Sequence, residues 1–296
     1  MRIAHKYSTR NMLKQLQQDY LQHLQQAGKA QATVIAYSKD VEQFVDFLLK
    51  RNKTDPKQVV AEDFDDYKEE LRALRYSEKS ISRKLNSLKS FFRYLRKQDV
   101  IADNPVQQVA HPKYTVTPPR VLTPMEYRAL RDAVKKDRRM HAIIELLLQT
   151  GMRISELAAL KAEDISIPKR QLFIAAQGSH ESRVVPLNNA AITAIKDYSQ
   201  VRPRSKEHIF FLTKSCRPFL VRNIRSAIDR YFKLAGIKDA KVNDLRHTFV
   251  VEQLAAGVPL VNVSKIVGHK RLSTTERYLQ FIDPEKMHQD VQIREL

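Results

Sequence analysis

Leu245-Arg246-His247-Thr248-Phe249, then Gly268-His269, then Leu272-Ser273-Thr274-Thr275-Glu276-Arg277-Tyr278: these pieces decide how the rest of the chain is read. An arginine, a histidine and a tyrosine gathered in a basic chain point to phosphate chemistry. The guanidinium is a planar fork that grips two phosphate oxygens at once. A tyrosine hydroxyl can attack phosphorus covalently once its pKa is brought down from about 10. The local pattern supports the grouping. Residues 243–256 carry Leu245, Phe249 and Leu254 at helical spacing, and Gly257 stops them. A second short helix runs from about Pro259 to Val267 and ends at Gly268, leaving His269 just past a helix C-terminus. Ser273 and Glu276 stand at capping-box spacing, which predicts a third helix with Tyr278 on its first turns. Three short helices joined by tight turns can aim Arg246, His269 and Tyr278 into one pocket.

Together these residues resemble the carboxy-terminal signature of the tyrosine recombinases, also called phage-type integrases. The match rests on Leu-Arg-His-Thr-Phe, Gly-His, Leu-Ser-Thr-Thr, and a tyrosine nine residues after the histidine of Gly-His. Upstream, a buried helix Ile143-Ile144-Glu145-Leu146-Leu147-Leu148 ends at Thr150-Gly151, and Met152-Arg153-Ile154-Ser155-Glu156-Leu157 opens the next. Thr-Gly-x-Arg-x-Ser-Glu-Leu resembles the family's first arginine box. The resemblance therefore implies Arg153 and Arg246 as the catalytic arginines, His269 beside them, Tyr278 as nucleophile, and Glu156 as the acid that orients the pocket. Two positions depart from the pattern. Asn243 stands where the family has a histidine three residues before the second arginine. The family's hairpin lysine, the acid for the leaving 5′-oxygen, has no counterpart in Ala176-Gln177-Gly178-Ser179-His180-Glu181-Ser182-Arg183. Gln177 falls nearest its place, Lys169 comes too early, and His180 is the nearest residue with a suitable pKa.

The rest of the chain fits a mainly α architecture. Residues 11–27, 33–50, 63–74 and 77–98 read as four amphipathic helices. The last carries Ile81, Leu85, Leu88, Phe91, Phe92 and Leu95 as its apolar stripe. Nine basic residues stand between Arg72 and Lys97, opposed by Glu78 alone. Arg75, Lys79, Arg83, Lys84 and Lys89 are the candidates for DNA phosphates. This bundle resembles the family's SAM-like core-binding domain, including Asp103-Asn104-Pro105 at its end. The proline-rich segment around His111-Pro112 and Thr117-Pro118-Pro119 reads as a linker, and Thr123-Pro124-Met125-Glu126 opens the second domain as a capped helix. The expected division is 1–111 for DNA binding, 112–121 for the linker and 122–296 for catalysis. In the second part, 171–176 and 183–187 read as a β-hairpin on an otherwise α domain, 208–212 as a short extended piece and 223–235 as a helix. Asp283-Pro284 opens a terminal helix over about 284–296.

Composition sets limits on function. The 296 residues carry 52 Lys+Arg against 33 Asp+Glu, a net charge of +19. Residues 1–120 hold 22 basic and 14 acidic side chains, and the remainder 30 and 19, so both halves are basic. Two basic bodies on a linker suggest a clamp around a polyanion. The single cysteine, Cys216, excludes an internal disulfide. No apolar run of membrane length and no signal peptide is seen, and the expectation is a bacterial cytoplasmic, nucleoid-associated protein. With no Walker motif and no metal-ligand cluster, no ATP, metal or other cofactor is called for. The resemblance further implies double-stranded DNA with an inverted-repeat core site as partner. It also implies a homotetramer on synapsed DNA, with exchange of the C-terminal helix between protomers. The setting expected is a short recombinase of the chromosome-dimer or transposon-resolution kind, and the alternative is a DNA-binding relative that has lost catalysis.

Overall fold

Burial of Ile81, Leu85, Leu88, Phe91, Phe92 and Leu95, each with no exposed surface, makes α4 (Glu78–Lys97) the central helix of the N-terminal unit. The structure, a computed structural model, describes residues 12–115, 118–178 and 180–282. Its contacts divide the chain into two units, Met1–Val116 and Thr117–Leu296. In the first, α1 (Met12–Gln26), α2 (Gln31–Lys50) and α3 (Ala61–Ala73) pack with α4 around stacked aromatics. Phe44 lies 4.7 Å from Phe64 and 5.0 Å from Tyr67, and Tyr20 lies 5.3 Å from Phe91. Such pairs add about 0.5–1.5 kcal/mol each beyond their buried area. Ser77 caps α4 by accepting from the Ser80 amide. A 3-10 turn, Pro105–Gln108, follows, and His111 Nδ1 lies 3.0 Å from Ser82 Oγ, which ties the chain leaving the bundle back onto α4.

One charge stands differently from its expected place. Lys84 is 6% exposed, because its ammonium donates to Asp40 Oδ1 at 2.9 Å and to Gln43 Oε1 at 2.7 Å. Asp40 is itself buried and also takes two bonds from Arg83 and one from the Ser87 hydroxyl. A carboxylate without solvent must be matched by cations, so Lys84 neutralises the core and is withdrawn from any DNA phosphate. Arg83 shares that duty while keeping about half its side chain in solvent. Arg75 and Lys79 are exposed and Lys89 is half-buried.

The second unit is built on α6 (Arg138–Thr150), whose residues from Ala142 to Leu148 are all buried. Before it, α5 (Pro124–Val134) begins with the expected cap, here a full capping box: Thr123 accepts from the Glu126 amide and Glu126 accepts from the Thr123 amide. After it come α7 (Ile154–Ala159), β1 (Ile165–Ser166), β2 (Gln171–Ile174), β3 (Arg183–Pro186), α8 (Asn189–Val201) and α9 (Val221–Leu234). The strands form an antiparallel sheet in the order β1-β2-β3, with Leu172 opposite Val185. The hairpin was anticipated, but β1, only two residues long, was not. Helix α8 was also missed, although Asn188 caps it and Ala191, Ile192, Ile195 and Tyr198 form its buried stripe along α6. The chain then makes α10 (Val242–Ala255), α11 (Leu260–Val267) and α12 (Leu272–Glu276).

The end of this run corrects the sequence reading. Arg271, extended at φ −127°, is the N-cap of α12, so Ser273 sits inside the first turn and caps nothing. The helix has five residues, and Tyr278 follows it as the N-cap of a 3-10 turn, Leu279–Phe281. The expected terminal helix at 284–296 lies outside the described residues. No helix among those described is long and apolar enough to cross a membrane.

Candidate active site

Two left-handed glycines hold the arginines. Gly151 (φ 60°) ends α6 and Gly268 (φ 68°) ends α11. Arg246, on the buried face of α10, donates to the Gly151 carbonyl at 2.5 Å and to the Val267 carbonyl at 2.7 Å. Arg153, the N-cap of α7, donates to the Gly268 carbonyl at 3.1 Å. A side chain is strained at both glycines, because each has a positive φ. A Cβ on Gly151 would stand 2.4 Å from the Phe249 ring, and one on Gly268 2.9 Å from Arg183 Nη1. Burial, with Arg153 close by, lowers the Arg246 pKa to about 10, which still leaves it charged at neutral pH.

Glu156 holds the two sides together. Its carboxylate, 4% exposed, accepts from the Arg153 amide (2.7 Å) and Arg153 Nη1 (2.9 Å). It also accepts a bidentate pair from Arg183 at 2.9 and 2.8 Å. Burial pushes this carboxyl up, but the bonds from Arg183 and the Arg153 amide prevail and bring it down to about 2. Arg183 in turn donates to the Ile266 carbonyl at 2.7 Å, pinning β3 to α11. Sequence reading took Arg183 only as the start of a strand. Its partner lies 27 residues away, and no local pattern announces the pair.

Tyr278 is 7% exposed within a small apolar cluster of Phe249, Val250, Val263 and Val267. Its ring stacks on His269, centroids 6.1 Å apart and planes 13° from parallel. Its hydroxyl lies 2.7 Å from His247 Nδ1. Burial raises the phenol's pKa, and only Arg246 pulls it back. His269 Nδ1 lies 2.8 Å from the hydroxyl of fully buried Thr275. Burial and the Arg246 charge bring His269 down to about 4, so it is neutral at pH 7. In the tautomer in which Thr275 donates to Nδ1, the ring hydrogen sits on Nε2 and can be offered to an anion.

The remaining candidates are spread around this centre. Gln177 pairs with His180 across the hairpin and donates to the Ser155 carbonyl at 3.3 Å, securing the hairpin end to α7. His180, Arg183, His269, Lys265 and Lys270 line one cavity of about 590 Å³. His180 Nδ1 is buried and has no hydrogen-bond partner among the described residues, and burial and then Arg153 lower its pKa. Asn243 is exposed on the first turn of α10, three residues before Arg246. A second basic face also escaped the sequence reading. On α9, Ile224, Ile228 and Phe232 point inward while Arg222, Arg225, Arg230 and Lys233 are exposed. The apolar spacing in the sequence predicts this helix, and the signal for its function is the four cations on the polar side.

Known proteins are similar to this chain in sequence and in fold. The profile of the phage integrase family matches residues 120–283, and that of the phage integrase N-terminal SAM-like domain matches residues 17–99. A tyrosine recombinase of Pseudothermotoga lettingae is 32% identical, over 90% of this chain and 93% of its own length. The tyrosine recombinase XerD of Rhizobium meliloti is 32% identical over 90% of this chain and 89% of its own. Among solved structures, the XerH site-specific recombinase bound to palindromic difH substrate superposes with a TM-score of 0.72 at 18% identity, covering 94% of each chain. The chain belongs to the phage integrase family, the tyrosine recombinases.

Proposed function

We propose that this recombinase cuts and rejoins DNA at a specific site with Tyr278 as its nucleophile. The phenolic oxygen attacks a scissile phosphate, forming a 3′-phosphotyrosine and releasing a 5′-hydroxyl. The linkage conserves the energy of the broken bond, so a strand from a second duplex reverses the step and a Holliday junction results. The observation that carries the reading is the meeting of Arg153, Arg246, His269 and Tyr278 around the Gly151 and Gly268 turns. Arg153 and Arg246 face the charge that gathers on the non-bridging oxygens in the pentavalent transition state. His269 Nε2 adds a neutral donor, and Asn243 can add another. Glu156 positions Arg153. A relative that had lost catalysis would have no reason to keep this set bonded in place.

DNA is the partner this chemistry requires. Arg75, Lys79, Lys89 and the exposed edge of Arg83 on the first unit, with Arg222, Arg225, Arg230 and Lys233 of α9, supply phosphate contacts. The palindromic substrate of XerH supports an inverted-repeat core site for this chain. The functional division is 1–111 for core binding, 112–121 as linker and 122–296 for catalysis. A homotetramer on synapsed DNA, with segment 284–296 passed between protomers, completes the reading. The bacterial origin of the relatives supports a nucleoid-associated setting.

The test is a nicked suicide substrate, on which the cut strand diffuses away and covalent adduct accumulates. Tyr278→Phe should bind DNA nearly as tightly as the parent, because phosphate contacts dominate such interfaces, and should form no adduct. Adduct formed by Tyr278→Phe would refute the assignment.

A further inference from the structure

A buried tyrosine is a poor nucleophile, and this one has its pKa raised by its surroundings. Something must take its proton as the phosphorus–oxygen bond forms. The family position often filled by histidine is Asn243 here, an amide with no useful basicity. The group that touches the nucleophile's oxygen is instead His247, 2.7 Å away, one residue beyond Arg246 and on the next position of α10. We propose that His247 accepts the proton of Tyr278 during strand cleavage and returns it during religation. This rests on the reading of Tyr278 as nucleophile.

The surroundings suit the task. Facing the His247 ring are Asp244 and Arg246 from its own helix, Tyr278 from the segment after α12, and His269 from the end of α11. Burial and Arg246 hold His247 below the ordinary histidine value while Asp244 works against them, so the ring is neutral at pH 7 and able to accept. A phosphodiester entering beside Arg246 brings negative charge that offsets the arginine and makes the imidazole more basic. The base thus gains strength when substrate is seated. The balance of the step is simple. The phenol proton passes to Nδ1, giving an imidazolium, and the phenolate oxygen bonds to phosphorus. The bond from phosphorus to the 5′-oxygen breaks, and that oxygen takes a proton from an acid across the cavity or from water. On religation the 5′-hydroxyl attacks phosphorus and gives its proton back to that acid or to water, the phosphorus–phenol oxygen bond breaks, and the departing phenolate recovers its proton from His247.

Adduct formation on the suicide substrate, followed against pH, tests this. The parent rate should rise with the titration of the imidazole and then level. His247→Gln should be slower at neutral pH by about 10²-fold or more and should rise steadily with hydroxide instead. A ring-fluorinated, more acidic tyrosine at position 278 should recover most of that loss, which a purely structural role for His247 would not permit. A second measurement needs no substitution of His247. In the parent, ring fluorination of Tyr278 should leave the midpoint of the pH profile in place, because the imidazole sets it. A midpoint that moves down with the phenol's acidity would overturn the proposal. So would His247→Gln running within about threefold of the parent at every pH. In either case Tyr278→Phe failing to form adduct shows that the nucleophile assignment survives, whereas adduct from Tyr278→Phe would remove that assignment itself.

Discussion

Removing the Arg183 guanidinium should disturb both the stability of the catalytic unit and the aim of Arg153. Arg183 and Glu156 are each nearly buried, with side-chain exposures of 9% and 2%. Breaking such a pair from one side typically costs about 3–5 kcal/mol, since a charge is left without its match. Arg183→Ala should therefore lower the denaturant midpoint and slow adduct formation together. Arg183→Lys should recover little, because a point charge cannot make the bidentate bond. Unchanged stability in Arg183→Ala would show that Glu156 is satisfied without it. His180 presents the complementary case, a buried ring nitrogen, Nδ1, with no hydrogen-bond partner among the described residues. His180 lines the cavity that also holds His269, which fits an acid for the leaving 5′-oxygen, although burial and then Arg153 lower its pKa until phosphate arrives. A bridging 5′-sulfur leaves without protonation. If His180 is the acid, His180→Ala should cleave ordinary DNA slowly, by about 10²-fold or more, and the sulfur substrate at the parent rate. Equal activity on ordinary DNA would place the acid elsewhere. The residues that the sequence proposes, Arg153, Arg246, His269 and Tyr278, stand in short motifs whose spacing is local. Arg183 and His247 stayed hidden because each is defined by a partner 27 or 31 residues away.

At the scale of elements, the apolar stripe of α4, the buried run of α6 and the glycine-ended α11 were legible, whereas β1 and α8 were not. The α4 stripe stood where periodicity put it. Strand β1 has too few residues for alternation to register, and α12 is shorter than the window any periodicity needs. Charge was the weaker guide: Lys84 belongs to a run of cations, and only the buried Asp40 on α2 shows that it faces inward. This separates two substitutions. Lys79→Ala should weaken DNA binding about equally for all sequences and reduce the slope of log affinity against log salt by about 0.9. Lys84→Ala should leave that slope alone and destabilise the bundle. A salt slope that falls in Lys84→Ala would return this lysine to the DNA interface. Gly151 joins α6 to the site and offers a sharper test. Gly151→Ala brings a left-handed alanine, costing about 1 kcal/mol, and drives a methyl against Phe249 and Val267, so a loss well above that figure is expected. Because the Gly151 carbonyl holds Arg246, cleavage should suffer even where the fold survives.

The whole molecule carries a net charge of +19 with a cluster of cations around its site, and this makes its stability depend on acid in a defined way. His269 has its folded pKa brought to about 4, against 6.5 ordinarily. Above 6.5 both folded and unfolded chains hold it neutral. Between 6.5 and 4 the unfolded chain gains a proton that the folded chain refuses, so stability falls as pH drops through this window. His247, His180 and His111 are lowered as well and act with the same sign. For His269 alone the loss is on the order of 3 kcal/mol by pH 4. Glu156 continues the decline by the opposite route. Its folded pKa near 2 lies below the ordinary 4.5, so the stability it gives is complete above 4.5 and is lost as pH falls from there towards 2. Urea midpoints of the free protein should accordingly fall without a plateau from about pH 6.5 downward, and His269→Gln should flatten the upper part of that curve by about one proton. If duplex DNA places phosphates among Arg153, Arg246 and His269, negative charge there raises the histidine pKa values. Bound protein should then keep its stability to a lower pH than free protein, beyond the uniform gain that binding alone supplies. A pH-independent midpoint between 6.5 and 4, or an acid limb that does not move with DNA, would mean that the phosphate does not enter this pocket.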